Sequence, residues 1–371
     1  MQKRCDKYKL DFWMNFDRTK VTMQPSSFSE FCLGYTTIGE SLLDVCCGNK
    51  RDSNFFKSNN LEVSSFDFED INLEHKKNAF SLDSWFDNVY CRFVLHAVRE
   101  DLEDYILISS SKLLGINGLL FIEARSDKGE LPDTDHYRRL INKNELRQKL
   151  VNLNFTILYE EESAGLSVYD GEDPVLIRFV AMKNNLIKIG DTKNFNAWYA
   201  ENSFNEVVDG FHTKTINPAV AKYLLLKTKY ILDSNDIPFL LVFGTLLGAY
   251  RDQQFITWDR DIDIALVEEY REEVRRLIKE GWFAVYGISW IRDVGYLYSV
   301  GYEGEYLDFY FFEEQRQAYV CGGAGEYIIK KEQIREPNSK IIFLGEEFNT
   351  VHSIEEYLTG QYGETWKIPI R

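Results

Sequence analysis

No stretch of this sequence approaches the roughly 20 consecutive apolar residues that a membrane-crossing helix needs. The charged opening, residues 1–9, leads into no apolar leader segment, so a cytoplasmic protein is expected. Positive charge is in short supply, with 43 Lys and Arg against 59 Asp and Glu and a net charge of −16. General nucleic-acid binding rests on neutralising phosphates with basic side chains, so no nucleic-acid partner is expected. A small anionic substrate remains compatible, because a few local cations, a metal ion or a helix N-terminus suffice for it. Cysteine is sparse and unpatterned: Cys5, Cys32, Cys46, Cys47, Cys91 and Cys321 show no framework spacing. The adjacent Cys46 and Cys47 lack evident co-ligands for zinc, and the thiols are expected to be reduced. The three-glycine dinucleotide fingerprint is missing, as are internal repeats and low-complexity tracts.

What is present is ample apolar material. At 371 residues and 44% hydrophobic, the chain can build two ordinary domains with real cores. The first half alternates strand and helix patterns. Strands are expected at Ser41–Val45, Val63–Phe66, Val89–Val94, Leu119–Glu123, Phe155–Glu160 and Val175–Met182. Helices are expected at Asp52–Ser58, Leu102–Leu114 and Asn144–Leu153, with Gly115 and Gly118 flanking a turn. That rhythm predicts a doubly wound, mostly parallel α/β sheet. The pattern loses its period between Lys183 and Glu201, which puts a boundary near 190 and domains at 1–190 and 191–371. Beyond it, Thr215–Asp233 is an amphipathic helix, Phe239–Phe243 a strand, Gly244–Gly248 a small-residue turn, Ile262–Leu266 a core strand, Arg271–Glu280 a helix and Tyr306–Phe312 an aromatic strand. The second domain is therefore read as α+β.

The strongest chemical signal is Phe243-Gly-Thr-Leu-Leu-Gly-Ala-Tyr-Arg-Asp-Gln-Gln-Phe-Ile-Thr-Trp-Asp-Arg-Asp-Ile-Asp-Ile264. Residues two apart on a strand share a face, so Asp261 and Asp263 present carboxylates side by side. Asp308 interrupts a second apolar strand. Three such carboxylates suit one or two hard divalent ions, Mg²⁺ or Mn²⁺, and like charges brought together call for a cation. Asp308 reads either as a ligand or as a general base, and Asp259 as a nearby supporting carboxylate. Gly244 is expected to let backbone amides approach a phosphate, Thr245 to supply a hydroxyl, and Arg251 and Arg260 to offset phosphate charge. The flanking Trp258, Ile262, Ile264 and Leu266 suggest a buried strand rather than one facing water.

From about Lys227 onward the chain resembles the LicD family, which includes the fukutin group and has a nucleotidyltransferase-like fold. The resemblance is carried by Gly-Thr-Leu-Leu-Gly-Ala at 244–249, Phe-Ile-Thr-Trp-Asp-Arg-Asp-Ile-Asp-Ile at 255–264 and Leu-Asp-Phe at 307–309. The closing Tyr357-Leu, Tyr362-Gly, Trp366 and Pro369 belong to the same pattern, with Tyr362, Gly363 and Trp366 read as structural. Arg260 departs from an acidic residue common at that place. The resemblance implies transfer of a phosphorylated alcohol from a CDP-activated alcohol to a glycan or lipid-linked glycan acceptor, with cytidine monophosphate (CMP) leaving. Peripheral association with membrane glycan-synthesis machinery at the inner face follows from such an acceptor.

In the first half, Leu42-Leu-Asp-Val-Cys-Cys-Gly-Asn-Lys-Arg-Asp-Ser-Asn-Phe-Phe56 combines a strand, a tight turn and a helix start. Asp67 follows the next strand at the interval of a ribose-binding carboxylate. From Ser41 to Met182 the region is similar to a class I methyltransferase that uses S-adenosyl-L-methionine. The family signature Asp-x-Gly-x-Gly-x-Gly stands here as Asp44-Val-Cys46-Cys47-Gly48-Asn49-Lys50, with Cys46 and Lys50 in place of glycines. The resemblance implies that Asp44 and Gly48 shape the methionine end of the pocket, Asp67 binds the ribose and Asp70 approaches the adenine. Lys50 either narrows that pocket or points outward. Arg92 and His96, where the fourth strand meets its helix, are candidates for binding an anionic acceptor or assisting deprotonation, with His96 placed among the catalytic residues. Arg125, His136, Arg138 and Arg139 supply further polar groups there, beside Glu123.

The leading expectation is a bifunctional enzyme of surface-glycan modification, joining phosphoalcohol transfer to methyl transfer. The alternative is a LicD-like phosphotransferase whose first domain only binds. A third reading, scaffolding without catalysis, predicts neither metal dependence nor cosubstrate binding.

Overall fold

The computed structural model describes residues 23–66, 85–131, 137–168, 171–184, 215–322, 327–334 and 339–369. The chain forms two compact units, Met1–Ile187 and Lys188–Arg371.

The N-terminal unit is built on a six-stranded sheet of β1 (Ser41–Val45), β2 (Glu62–Phe66), β3 (Phe86–Arg92), β4 (Leu114–Arg125), β5 (Phe155–Ser163) and β6 (Leu176–Lys183), in the order β2-β1-β3-β4-β6-β5. β1 pairs in parallel with β2 and β3, and β3 with β4. β6 runs antiparallel to both β4 and β5, so an antiparallel pair closes the far edge. Helices α1 (Ser27–Leu33), α2 (Arg51–Ser58), α3 (Glu100–Leu113) and α4 (Lys143–Asn152) connect or cover the strands. α1 and α4 are capped by Ser26 and Asn142, whose side chains accept from the first-turn amides. The core gathers Phe28, Leu42, Phe56, Tyr90, Phe121 and Val180. β3 ends earlier than its apolar run suggests, because Phe93 takes a left-handed conformation at φ 61°. The glycine turn expected at 115–118 is instead absorbed into β4, where the pairing with β3 shifts register between Phe86 and Asn88.

In the C-terminal unit, α5 (Pro218–Asp233) starts at an Asn217 cap followed by proline at its first position. Strands β7 (Leu240–Leu241) and β8 (Ile262–Val267) are antiparallel, and β8 lies parallel to the long β11 (Glu305–Glu314). On the other side of β11 come β10 (Leu297–Tyr302) and β9 (Ser289–Asp293), while the end of β11 pairs with β12 (Ala318–Cys321) and then β13 (Tyr327–Lys330). α6 (Phe243–Leu247) and α7 (Arg271–Glu280) flank β8 in sequence. A hairpin, β14 (Ser339–Phe343) and β15 (Glu346–Thr350), precedes α8 (Ile354–Tyr362). Tyr298, Phe309, Phe311 and Phe283 pack the centre of this sheet.

The expected strand Phe239–Phe243 is reduced to two residues, and the expected glycine turn is the helix α6 followed by one π-helical turn, Gly248–Asp252. The chain turns sharply at Phe243, whose φ of 47° is unusual for a bulky residue. Its ring is held against Tyr310 and Tyr327. Among the described residues no helix is long and apolar enough to cross a membrane.

Candidate functional site

The acidic centre is assembled by strand pairing. β8 and β11 run in parallel with Asp263 directly opposite Asp308. β10 puts Ser299 opposite Asp308, and β9 puts Arg292 opposite Ser299. Arg292, Ser299, Asp308 and Asp263 thus form one row across four adjacent strands, and residues opposite one another on neighbouring strands share a face. Asp261, just before β8, completes the group: each of Asp261, Asp263 and Asp308 offers an oxygen, and the three lie within 4.8 Å of one another. These hard oxygen donors on rigid strands fit a divalent cation.

The turn at Phe243 serves this centre. The Asp263 amide donates to Thr245 Oγ1 at 2.8 Å, and the nearby Gly244 amide favours the ionised Asp263 carboxylate. The buried Thr245 therefore holds Asp263, and Gly244 lies beside both that carboxylate and the cavity. Burial, then the neighbouring Asp261, Asp308 and Asp259, pushes the Asp263 carboxyl well above the usual range. Burial likewise lifts Asp308 to about 6, opposed by Arg292 and Ser299. Asp259 also rises to about 6, through burial first and then the charge of Asp261. Tyr306 donates its hydroxyl to Asp261 Oδ2 at 3.2 Å.

Beside these carboxylates a cavity of about 290 Å³ is lined by Gly244, Arg251, Trp258, Asp259, Tyr362 and Trp366, among others. Trp258 is 40% exposed and outside the strand, which corrects its reading as a buried flank. Tyr362 and Trp366, read as structural, also face the cavity. Arg251 reaches it with its guanidinium already forked onto Asp252 at 2.8 and 2.7 Å and donating to the Trp366 carbonyl at 2.9 Å. Arg260 is exposed. The basic group that meets the acidic row is Arg292, which no motif marks. Its only sequence signal is an Arg in a strand whose neighbour two strands away carries the interrupting Asp.

In the N-terminal unit the turn after β1 keeps an unusual backbone. Cys46, Gly48 and Lys50 have φ of 59°, 55° and 62°, so all three signature glycine positions are left-handed although two carry side chains. A non-glycine residue there costs about 1–2 kcal/mol. The Lys50 side chain is exposed. Asp44 is buried and accepts the Ser53 hydroxyl at 2.5 Å. Asp67, Asp70 and His136 lie outside the described residues.

The proposed acceptor face is largely occupied by internal pairing. Glu123, fully buried, takes Arg92 on one oxygen at 2.9 Å and Arg178 on the other at 2.7 Å. Arg125 pairs with Glu172 at 2.7 Å, and Arg139 with Glu103 and the Val98 carbonyl. Burial and then Arg125 bring Arg138 down to about 10. His96 is 1% exposed, and its Nδ1 accepts the Arg125 amide at 3.1 Å. Burial, then the surrounding arginines, lowers its proton affinity well below the ordinary histidine range. The structure thus places His96 in the core, where its low proton affinity favours a neutral ring accepting the Arg125 amide. Among the described residues, Cys32, Cys46, Cys47, Cys91 and Cys321 are in no disulfide.

A family model described as LicD/FKTN/FKRP, nucleotidyltransferase domain, matches residues 236–349. Ribitol-5-phosphate transferase FKTN from Macaca fascicularis and from Homo sapiens are each 26% identical to this chain over 156 residues, covering 41% of it. The chain spans 34% of the length of those relatives. A SAM-dependent methyltransferase structure from Methanosarcina mazei is 17% identical, covers 42% of this chain and 98% of its own, and has a TM-score of 0.35. The 1,6-didemethyltoxoflavin-N1-methyltransferase of Burkholderia thailandensis is 18% identical, with 47% and 82% covered and a TM-score of 0.36.

Proposed function

We propose that this chain, in which a domain of class I methyltransferase-like fold precedes a LicD/FKTN-like nucleotidyltransferase domain, acts as a phosphoalcohol transferase. The donor is a CDP-activated alcohol and the acceptor a hydroxyl of a glycan or lipid-linked glycan, the latter bringing the protein to a membrane's inner face. The observation that carries this reading is the Asp261–Asp263–Asp308 group within 4.8 Å, inside the matched domain.

Asp261, Asp263 and Asp308 would hold Mg²⁺ or Mn²⁺. When bound, that cation neutralises charge on the donor phosphates. Asp308 groups with Asp261 and Asp263 and is not among the residues lining the cavity, so it suits a ligand better than a base. Asp259 faces the cavity and holds a proton up to about pH 6, which suits it to receive the proton of the attacking hydroxyl. The acceptor oxygen bonds to the phosphorus that carries the alcohol, the bond from that phosphorus to the CMP oxygen breaks, and CMP departs with the electron pair. Trp258, Tyr362 and Trp366 line the cavity and give it aromatic surface for a substrate. Purified protein with Mg²⁺, glycan acceptor and CDP-ribitol, CDP-glycerol or CDP-choline is expected to release CMP with one of them. No release with any donor overturns the reading.

The N-terminal unit fits a module that binds S-adenosyl-L-methionine without transferring its methyl group. The left-handed turn at Cys46, Gly48 and Lys50 supports cosubstrate binding, whereas the pairing of Arg92, Arg125 and Arg139 and the burial of His96 argue against a working acceptor site. Calorimetric titration with S-adenosyl-L-methionine is expected to show binding, and labelled methyl donor to show no transfer to the glycan. Methyl incorporation would restore the bifunctional reading.

A further inference from the structure

The acidic centre contains a positive charge of its own. Arg292 Nη2 donates to Asp308 Oδ2 at 2.7 Å, and Arg292 Nε donates to Ser299 Oγ at 2.7 Å. The Ser299 hydroxyl in turn donates to Asp308 Oδ1. The Arg292 guanidinium also lies 5.7 Å from the centroid of the Tyr306 ring, whose hydroxyl meets Asp261. Ser299 is fully buried and Asp308 is 1% exposed, so this pair sits in a medium that screens charge poorly. Strand register explains the arrangement: Arg292, Ser299 and Asp308 are successive members of one cross-strand row.

A buried carboxylate beside two others is costly to fold unless it is neutralised. A bound cation does this only once it has arrived. The fold therefore needs either a protonated centre or a fixed counter-charge, and Arg292 supplies the latter at one of the three carboxylates. The same guanidinium repels an incoming divalent cation and already engages Asp308 Oδ2. Its two effects have opposite signs: it stabilises the metal-free protein and weakens cation binding.

We infer that Arg292 is a built-in counter-ion that shares Asp308 with the divalent cation, keeping the empty centre folded and setting how tightly the cation is held. Arg292 is in this sense a positioning residue. The inference rests on the cation-centre reading above. Its test measures binding and stability, so it can fail while CMP release persists, and CMP release can fail while it holds.

The test is titration of the purified full chain with Mn²⁺ by calorimetry, together with thermal melts in EDTA and in Mn²⁺. Arg292→Met is expected to melt lower than wild type in EDTA, yet to bind Mn²⁺ about tenfold more tightly and to gain more from it, because a unit positive charge has left a poorly screened site. Arg292→Lys keeps the charge and is expected to stay within about threefold of wild-type affinity. Unchanged or weaker Mn²⁺ binding in Arg292→Met overturns the inference, as does a wild-type chain that binds no Mn²⁺. Should Arg292→Met fail to fold, the double variant Asp308→Asn/Arg292→Met decides. With the charge gone from position 308 the missing counter-ion costs little, so the double variant is expected to fold. Failure of both to fold places the role of Arg292 outside Asp308 and overturns the inference.

Discussion

Asp263 and Asp308 stand directly opposite one another on parallel strands β8 and β11, and both are nearly buried. No flexible loop separates them, so neither can swing away to relieve their repulsion. Asp263→Asn removes one charge and keeps the shape. It is expected to raise the melting temperature in EDTA, abolish the added stability from Mn²⁺ and reduce CMP release by about 100-fold or more. Melts with and without Mn²⁺, beside a CMP-release assay, check all three. A variant that keeps its Mn²⁺ response shows that the cation is held elsewhere.

The contact between Gly244 and Asp259 gives the second expectation. A Cβ on Gly244 would stand 2.2 Å from Asp259 Oδ2, with the carboxyl carbon only 3.1 Å away. Alanine there must displace the carboxylate that faces the cavity. Gly244→Ala is expected to cost about 1–3 kcal/mol in urea unfolding and to slow CMP release at least tenfold. Because Asp263 keeps its partner Thr245, Mn²⁺ affinity should fall less than catalysis. Equal loss of both contradicts the division of labour between Asp259 and Asp263.

The pH dependence follows from the raised carboxyls. Asp308 and Asp259 both titrate at about 6 in the metal-free fold, against an ordinary 3.8. Between those values the folded protein binds more protons than the unfolded chain, so its stability in EDTA falls as pH rises through the window. A cation requires the ionised carboxylates, so its binding releases protons and strengthens over the same range. The gap between melting temperatures in Mn²⁺ and in EDTA is therefore expected to be wider at about pH 7.5 than at about pH 5. A gap independent of pH sinks this account.

Much of this was legible in local pattern. Strand and helix periodicity located β1, α2, α7 and β11 to within a residue or two, because the two helices each bury one face and the two strands are apolar runs buried on both. Asp261, Asp263 and Asp308 could be grouped because each interrupts or borders an apolar strand. The turn at Phe243 was not legible: φ 47° in a bulky residue is set by Tyr310 and Tyr327, which are distant in sequence. Gly244 read as a loop residue for the same reason, although it starts a helix and makes room for Asp259. Arg292 escaped notice because its meaning lies in register across three strands. At Cys46 and Lys50 residues other than glycine stand in the signature, and the backbone keeps left-handed geometry there, which the sequence does not show. The arginines near His96 looked available because sequence spacing does not reveal their glutamate partners.

Glu123 provides the last expectation, and it separates structure from catalysis in the N-terminal unit. Its two oxygens join Arg92 of β3 to Arg178 of β6, and Arg178 continues to Ser27 Oγ at 3.0 Å and the Leu166 carbonyl at 2.8 Å. One carboxylate thus ties three strands to α1. Glu123→Gln keeps the shape but leaves two guanidiniums buried around a neutral amide, which is expected to cost about 3–5 kcal/mol. Glu123 belongs to the N-terminal unit and the acidic centre to the C-terminal one, so CMP release per folded molecule should stay within about twofold of wild type. If the arginines were instead a working site for an anionic methyl acceptor, freeing them would favour anion binding without a large loss of stability. Urea unfolding measured beside CMP release distinguishes the two: a stable Glu123→Gln protein would mean that Arg92 and Arg178 are not held there as structural partners.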